Sequence, residues 1–309
     1  TENWVKIGLL NLSNTMKFTR VLASILSAVV LLVFGSCGSS DSKKNTDEFA
    51  QAEDSLKKHI EDVVYNIPSP TEIPYIIQGT CAEFNAALTS PLTKLNSYTT
   101  RNDKAAINLG IYVADIGYLS SYEKTQEAIE YLSACKTLAD NLNVIGSFDL
   151  ELLQRFEANI SNKDSLARIL DATVHKTENF LKDDNRNRLA AQVIAGSFIE
   201  GLYISTGLVK TYPKDLLPDE QRNIVLTNIV RVVLEQEKSV TELVKMLESV
   251  EQTEPIASIL PDLKQLETTY SSLNIEEQIK NNQGDLVLTD ANLIEITRIV
   301  EKIRNTITE

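Results

Sequence analysis

Two acidic residues stand alone in apolar surroundings, and they are the residues best placed to do chemistry. Asp115 is the one charged residue of Ala105–Tyr122, and Glu200 is the one charged residue of Val193–Val209. A carboxylate enclosed by apolar side chains must reach water, meet a cation or hydroxyl, or take up a proton through a raised pKa. The sequence therefore predicts that each acid has a specific partner.

Tyrosines accompany both acids at helical spacing. Tyr118 follows Asp115 by three residues and Tyr203 follows Glu200 by three, so each pair shares one helix face. One hypothesis is a polar pocket, lined by these four residues, for a small cationic or polyhydroxylated ligand. The alternative is a structural network in which the acids lie at helix edges and pair with Arg or Lys from surrounding helices. We favour the network, because buried polar networks are common in helical cores.

A segment near the start of the chain has the pattern of an export signal. Lys17 and Arg20 precede the apolar run Val21–Phe34, which is too short to cross a bilayer as a helix. The string Val33-Phe34-Gly35-Ser36-Cys37 then resembles a bacterial lipobox, which implies that Cys37 is lipidated and anchors the protein in a membrane. Lipid at one cysteine supplies the two chains that stable anchoring needs. The alternative is an ordinary signal peptide with an incidental cysteine.

Other reactive residues do not form a recognisable catalytic or metal-binding set. His59 and His175 lie on different helical segments, and Asp183–Asn187 lacks the glycine and bidentate glutamate of a calcium loop. No phosphate-binding loop or nucleophile elbow occurs. We therefore expect no metal, no cofactor and no enzymatic activity.

Cys81 and Cys135 both lie in predicted helices of an exported protein. The compartment permits a disulfide between them. Two buried free thiols would give the same sequence pattern. Both alternatives remain open at this point.

Apolar residues recur at helical spacing from Thr46 onward, and no stretch alternates with the period of a strand. The pattern predicts an all-α fold, a multi-helix antiparallel bundle of about ten helices with a break near Tyr122 and one long helix over Leu226–Val250. We divide the chain into an upstream extension (1–15), a lipoprotein signal peptide (16–36), a flexible tether (37–46) and a single all-α domain (47–309).

The two nearly charge-free segments should be the central helices of the bundle, because a helix that is apolar on all sides must be enclosed. They also align with each other at a shift of 85 residues, where Asp115, Tyr118 and Ser120 fall on Glu200, Tyr203 and Ser205. This alignment suggests a weak internal duplication.

The formal net charge of −13 limits the partners of the protein. Without a basic patch it cannot release counterions from phosphates, so we expect no nucleic-acid partner. The same charge opposes direct adsorption to an anionic membrane, which leaves the lipid as the attachment.

Four strings between about residues 60 and 210 resemble a family of uncharacterised helical lipoproteins of the Bacteroidota. They are Ile67-Pro68-Ser69-Pro70-Thr71-Glu72, Asn108-Leu109-Gly110-Ile111-Tyr112-Val113-Ala114-Asp115, Phe156-Glu157-Ala158-Asn159-Ile160 and Ile199-Glu200-Gly201-Leu202-Tyr203-Ile204. The resemblance implies a helical fold and an envelope location, but no activity.

The sequence thus predicts an outer-membrane lipoprotein that faces the periplasm rather than the cell exterior. We expect a non-enzymatic binding or scaffolding module with an unknown protein or small-molecule partner. The alternative function is a small-ligand sensor or carrier with its pocket between the central helices.

Overall fold

The computed structural model describes residues 83–144, 150–159, 186–212, 230–273 and 291–309, with single positions between 162 and 176 and at 221 and 224. All belong to one compact unit of the chain, Ser55–Glu309. Within these residues the regular elements are all helical, which confirms the all-α prediction. They are two 3-10 turns (Ala86–Leu88 and Leu92–Lys94), α1 (Leu95–Tyr98), α2 (Asn102–Ser121), α3 (Thr125–Asn141), α4 (Leu150–Ala158), α5 (Asn187–Thr211), α6 (Glu237–Glu248), α7 (Ile256–Ser271) and α8 (Ala291–Thr308).

Helices α2 and α5 form the centre of the described part, as their composition predicts. Eighteen of the 20 residues of α2 are buried, and so are 18 of the 25 residues of α5. In the part of the chain that the structure describes, α5 alone is long and apolar enough to cross a membrane, and 83% of its apolar window is buried inside the protein. That burial is what a core helix requires.

Two glycines let α2 and α5 touch backbone to backbone. A Cβ on Gly110 would stand 2.0 Å from the carbonyl oxygen of Val193, and a Cβ on Gly196 would stand 1.9 Å from that of Ile107. Each glycine thus packs against the carbonyl group of the residue three positions before the other glycine. Further along, Asp115 contacts Glu200, so the two helices run in the same direction.

The surrounding helices are amphipathic and bury one face each. The apolar face of α3 is buried at Leu132, Cys135, Leu138 and Ala139. The apolar face of α8 is buried at Leu293, Ile296, Ile299, Val300, Ile303 and Ile307. Helix α3 packs on α2, and α8 packs on α7 and α5.

Side chains from the start of the described region satisfy the last carbonyls of α8. The Thr308 carbonyl accepts hydrogen bonds from Lys94 Nζ at 2.7 Å and from the Tyr98 hydroxyl at 3.0 Å. The Ile307 carbonyl accepts one from Asn108 Nδ2 at 3.1 Å. These carbonyls have no partner inside their own helix, so the three bonds fix the last turn of α8 against α1 and α2.

The structure confirms one predicted helix end and contradicts one predicted long helix. Helix α2 ends at Ser121, as the predicted break near Tyr122 requires. The single helix predicted over Leu226–Val250 is wrong, because a turn at residues 235–236 interrupts it and α6 begins at Glu237. The Val233 carbonyl there accepts a hydrogen bond from the Tyr270 hydroxyl of α7 at 2.8 Å.

Candidate functional site

A fully buried ion pair lies where α8 meets α5. Arg304 donates from Nε to Glu200 Oε2 at 3.1 Å and from Nη2 to Oε1 at 3.3 Å. Glu200 is 0% exposed and Arg304 is 7% exposed. The Tyr203 ring covers the guanidinium, whose central carbon lies 4.6 Å from the ring centroid. This two-bond geometry is the strong form of a carboxylate–arginine pair.

Asp115 lies beside this pair and is also fully buried. Its Oδ2 accepts a hydrogen bond from the backbone N–H of Ser90 at 3.1 Å. Its carboxyl group lies close enough to the Glu200 side chain for a hydrogen bond if one of the two acids carries a proton. Both acids are fully buried, so they do not lie at helix edges, where the structural alternative places them. Burial first, and the Glu200 charge second, raise the pKa of Asp115 well above its ordinary value.

The pKa of Glu200 responds to opposing influences. Burial raises it, while the Arg304 guanidinium and the hydrogen bond with Asp115 oppose the rise. Because Arg304 bonds both Glu200 oxygens, it favours the ionised form of Glu200 over that of Asp115.

The short segment Ser90–Pro91 closes this cluster on one side. The Ser90 carbonyl accepts a hydrogen bond from the Tyr131 hydroxyl of α3 at 2.5 Å. The Pro91 carbonyl accepts one from the Tyr112 hydroxyl of α2 at 3.4 Å. Helices α2 and α3 therefore hold this segment in place. The Ser90 N–H is a preformed hydrogen-bond donor that orients the Asp115 carboxyl group.

The four residues predicted as ligand contacts come together only in part. Asp115, Glu200 and Tyr203 all lie around Arg304. The Tyr118 hydroxyl instead accepts from the Asn85 N–H at 3.2 Å. The Tyr118 ring belongs to a separate small cluster with Leu88, Ile204 and Leu208.

Arg304 was missed by the sequence analysis, although the sequence carries a signal for it. It follows Val300 by four residues and precedes Ile307 by three, so it lies on the apolar face of α8. A cation on an apolar stripe needs a buried anion, and Asp115 and Glu200 were the two anions in apolar helices. Matching them would have predicted the pair.

The remaining polar groups near Asp115 are neutral. Burial raises the pKa of Tyr131 to about 12. Burial is also the main cause that raises the pKa of Tyr112. Cys135 is a free and fully buried thiol, whereas Cys81 lies outside the described residues, so both alternatives for this pair stay predictions. Burial and the nearby Asp115 raise its pKa well above the usual range. A thiol that keeps its proton is a poor nucleophile.

The described crevice nearest to α5 lies away from the cluster. It is a narrow crevice without room for a water molecule, and it is lined by Phe198, Leu202, Ser205, Val232, Val233 and Gln236. Neither Asp115 nor Glu200 is among its lining residues. Among the described residues, no three His, Cys, Asp or Glu side chains lie together as metal ligands would.

Several predicted features lie outside the described residues. They are the signal peptide and tether, the lipidation site Cys37, and the residues Cys81, His59 and His175. Comparison of the chain with protein-family models, with curated proteins and with solved structures finds no match.

Proposed function

We propose that the chain is a lipid-anchored protein of the cell envelope whose helical body binds or scaffolds another protein and catalyses no reaction. The Bacteroidota resemblance, the outer-membrane location and the periplasmic side are parts of this proposal. So are the finer features of the fold, which are about ten helices, an internal duplication and a bundle that is antiparallel apart from the central pair α2 and α5.

The observation that supports this function is the pairing of Glu200 with Arg304. Both oxygens of the fully buried Glu200 carboxylate are bonded by a cation of the same chain. In a ligand pocket, by contrast, the convergent polar groups have no partner within the chain and are available to bind the ligand. Because Glu200 is paired within the chain, we expect a partner to bind the outer faces of the helices.

The lipid anchor is tested with the full chain and its Cys37→Ala variant in a diderm bacterium that processes lipoproteins. Cells are fed an alkyne-tagged palmitate, and membrane and soluble fractions are compared. We expect label and membrane retention for the parent and loss of both for Cys37→Ala, because the lipid is the attachment.

Cys81→Ala is the matched control, since it also removes one thiol and should keep both label and membrane retention. A Cys37→Ala protein that still carries label would contradict the anchor. Digestion by protease added to intact cells would contradict the periplasmic side.

Mass measurement of the native protein separates a protein partner from a small ligand. The protein is extracted from its own envelope in mild detergent and weighed intact. A second polypeptide in the complex supports the scaffold. A bound small molecule supports the sensor or carrier alternative. The mass of the lipidated chain alone contradicts both.

The Glu200→Gln variant tests whether the buried acid is structural. A structural role predicts a lower free energy of unfolding and an unchanged mass of any bound molecule. The Gln side chain keeps the shape but loses the charge that pairs with Arg304, so the loss should be that of a broken buried pair. Unchanged stability together with the loss of a bound small molecule would instead support a ligand site.

A further inference from the structure

The junction of α2, α5 and α8 contains more acid than base. Asp115 and Glu200 are both 0% exposed, and Arg304 is 7% exposed. If both acids were ionised, the junction would carry an uncompensated negative charge away from water, which is strongly unfavourable. The charge is balanced only if one acid holds a proton or a cation joins it.

The oxygen atoms show where the proton would lie. Both oxygens of Glu200 accept from Arg304, and Oδ2 of Asp115 accepts from the Ser90 N–H. Oδ1 of Asp115 is buried and has no donor. Two carboxyl groups in hydrogen-bonding contact need one proton between them, because two carboxylates have only acceptors. Oδ1 is the oxygen left to carry it.

Among the described residues, the charged groups that most affect the Asp115 carboxyl are Glu200 on α5 and Arg304 on α8. The other titratable groups that sense it are neutral and come from α1, α2 and α3: Tyr98, Tyr112, Tyr118, Tyr131 and Cys135. Desolvation raises the pKa of each of them, so none supplies or removes the missing charge near neutral pH.

We propose that Asp115 is a neutral carboxylic acid that donates from Oδ1 to the Glu200 carboxylate, and that this shared proton is a pH-sensitive lock on the junction. With the proton in place, hydrogen bonds run without a break from the Ser90 N–H through Asp115 and Glu200 to Arg304. Removal of the proton sets two carboxylates against one guanidinium, and water must enter to separate them. The proposal does not depend on the function proposed above.

The direction of the pH dependence follows from the raised pKa of Asp115. Its ordinary value is 3.8, so above about pH 4 the unfolded chain has lost a proton that the folded chain keeps. Folding then takes up a proton, and stability falls as the pH rises. Until the pH passes the pKa of the folded state, each pH unit should multiply the unfolding equilibrium constant by about ten.

Asp115→Asn tests the lock directly. The amide nitrogen can donate to Glu200 as the protonated acid does, and the amide oxygen can accept from Ser90. The full chain and the variant are unfolded with urea in detergent between about pH 5 and pH 8. The ratio of their unfolding constants should change by about tenfold per pH unit, with the variant gaining at higher pH. Other titrating groups cancel in this ratio.

Asp140→Asn is the matched control, because Asp140 is exposed and pairs only with Lys136 across one helix turn. Its ratio to the parent should not change with pH. An equally constant ratio for Asp115→Asn would overturn the proposal, because it would mean that Asp115 is ionised in both states.

Infrared spectra give a test that requires no folded variant. With aspartate labelled by 13C at the side-chain carboxyl, the parent at neutral pH should show the carbonyl stretch of a neutral carboxylic acid in addition to the carboxylate bands. Its absence would refute the proposal. A stability that requires added sodium or potassium, without this band, would assign the site to a cation instead.

Discussion

The interface between α2 and α5 has two parts that are built in opposite ways. Around Gly110 and Gly196 the backbones touch, and a single added carbon would overlap a carbonyl oxygen. Around Asp115 and Glu200 side chains fill the interface, and Arg304 of α8 joins them. Two residue types that are rare in helix cores, glycine and acid, thus occur on the same two helices.

The contrast shows how one pair of helices holds a charged cluster. Backbone contact at the glycines fixes the distance and direction of the two helices by van der Waals packing. The cluster then needs only a cation and one proton to be balanced. The glycine part therefore positions the helices, whereas the acidic part joins them to α8. Four variants test this division, beginning with the largest expected effect.

Arg304→Met should lower the free energy of unfolding by about 3–5 kcal/mol, the usual cost of removing one partner of a buried ion pair. Methionine fills similar space but leaves the Glu200 carboxylate without a cation. Urea unfolding at neutral pH, followed by the helical circular dichroism signal, measures the loss.

The double variant Glu200→Gln/Arg304→Met separates charge from packing. It contains no unpaired carboxylate at this position, so it should be more stable than Arg304→Met alone. If the double variant loses as much as the two single variants added together, the pair matters for packing only, and the assigned role of the acidic part is wrong.

Gly196→Ala should cost about 3 kcal/mol, the upper end for overpacked cores. Its Cβ would stand 1.9 Å from the Ile107 carbonyl oxygen, which is backbone and cannot rotate away. The measurement is again the urea unfolding free energy. If Gly196→Ala lowers the free energy of unfolding no more than an ordinary substitution in a helix does, the two helices separate easily and the glycines do not position them.

Gly201→Ala, one residue beyond Glu200, should have the smallest effect and the opposite sign. A Cβ at Gly201 meets no atom within 4 Å. Alanine should therefore stabilise the helix by about 0.5–1 kcal/mol through its lower conformational entropy in the unfolded chain. Thermal unfolding of this variant beside Gly196→Ala compares two glycines of one helix. Destabilisation would mean that the acidic part is packed as tightly as the glycine part.

Much of this arrangement could be predicted from the sequence. The absence of charge along two segments identified α2 and α5 as central, because only enclosed helices can be apolar on every side. The lone acids identified the polar cluster for the same reason, and the structural alternative predicted a cation from a neighbouring helix. Arg304 could have been found from its place on the apolar face of α8.

Other features depend on contacts that periodicity does not encode. Tyr118 has the same helical spacing from Asp115 as Tyr203 has from Glu200, yet its hydroxyl bonds Asn85, a residue far away in sequence. The turn before α6 coincides with a tertiary hydrogen bond between Tyr270 and Val233. Propensity along one segment cannot report a partner on another.

The hydrogen bonds and the ion pair of α8 also determine when the core can close during synthesis. Arg304 is separated from Glu200 by 104 residues, and Thr308 from Lys94 by 214. A ribosome therefore releases both acids well before it releases the cation that neutralises them. During that interval the nascent chain must keep Asp115 and Glu200 protonated or hydrated. Final closure of the core follows synthesis of α8, and such long-range closure is slow.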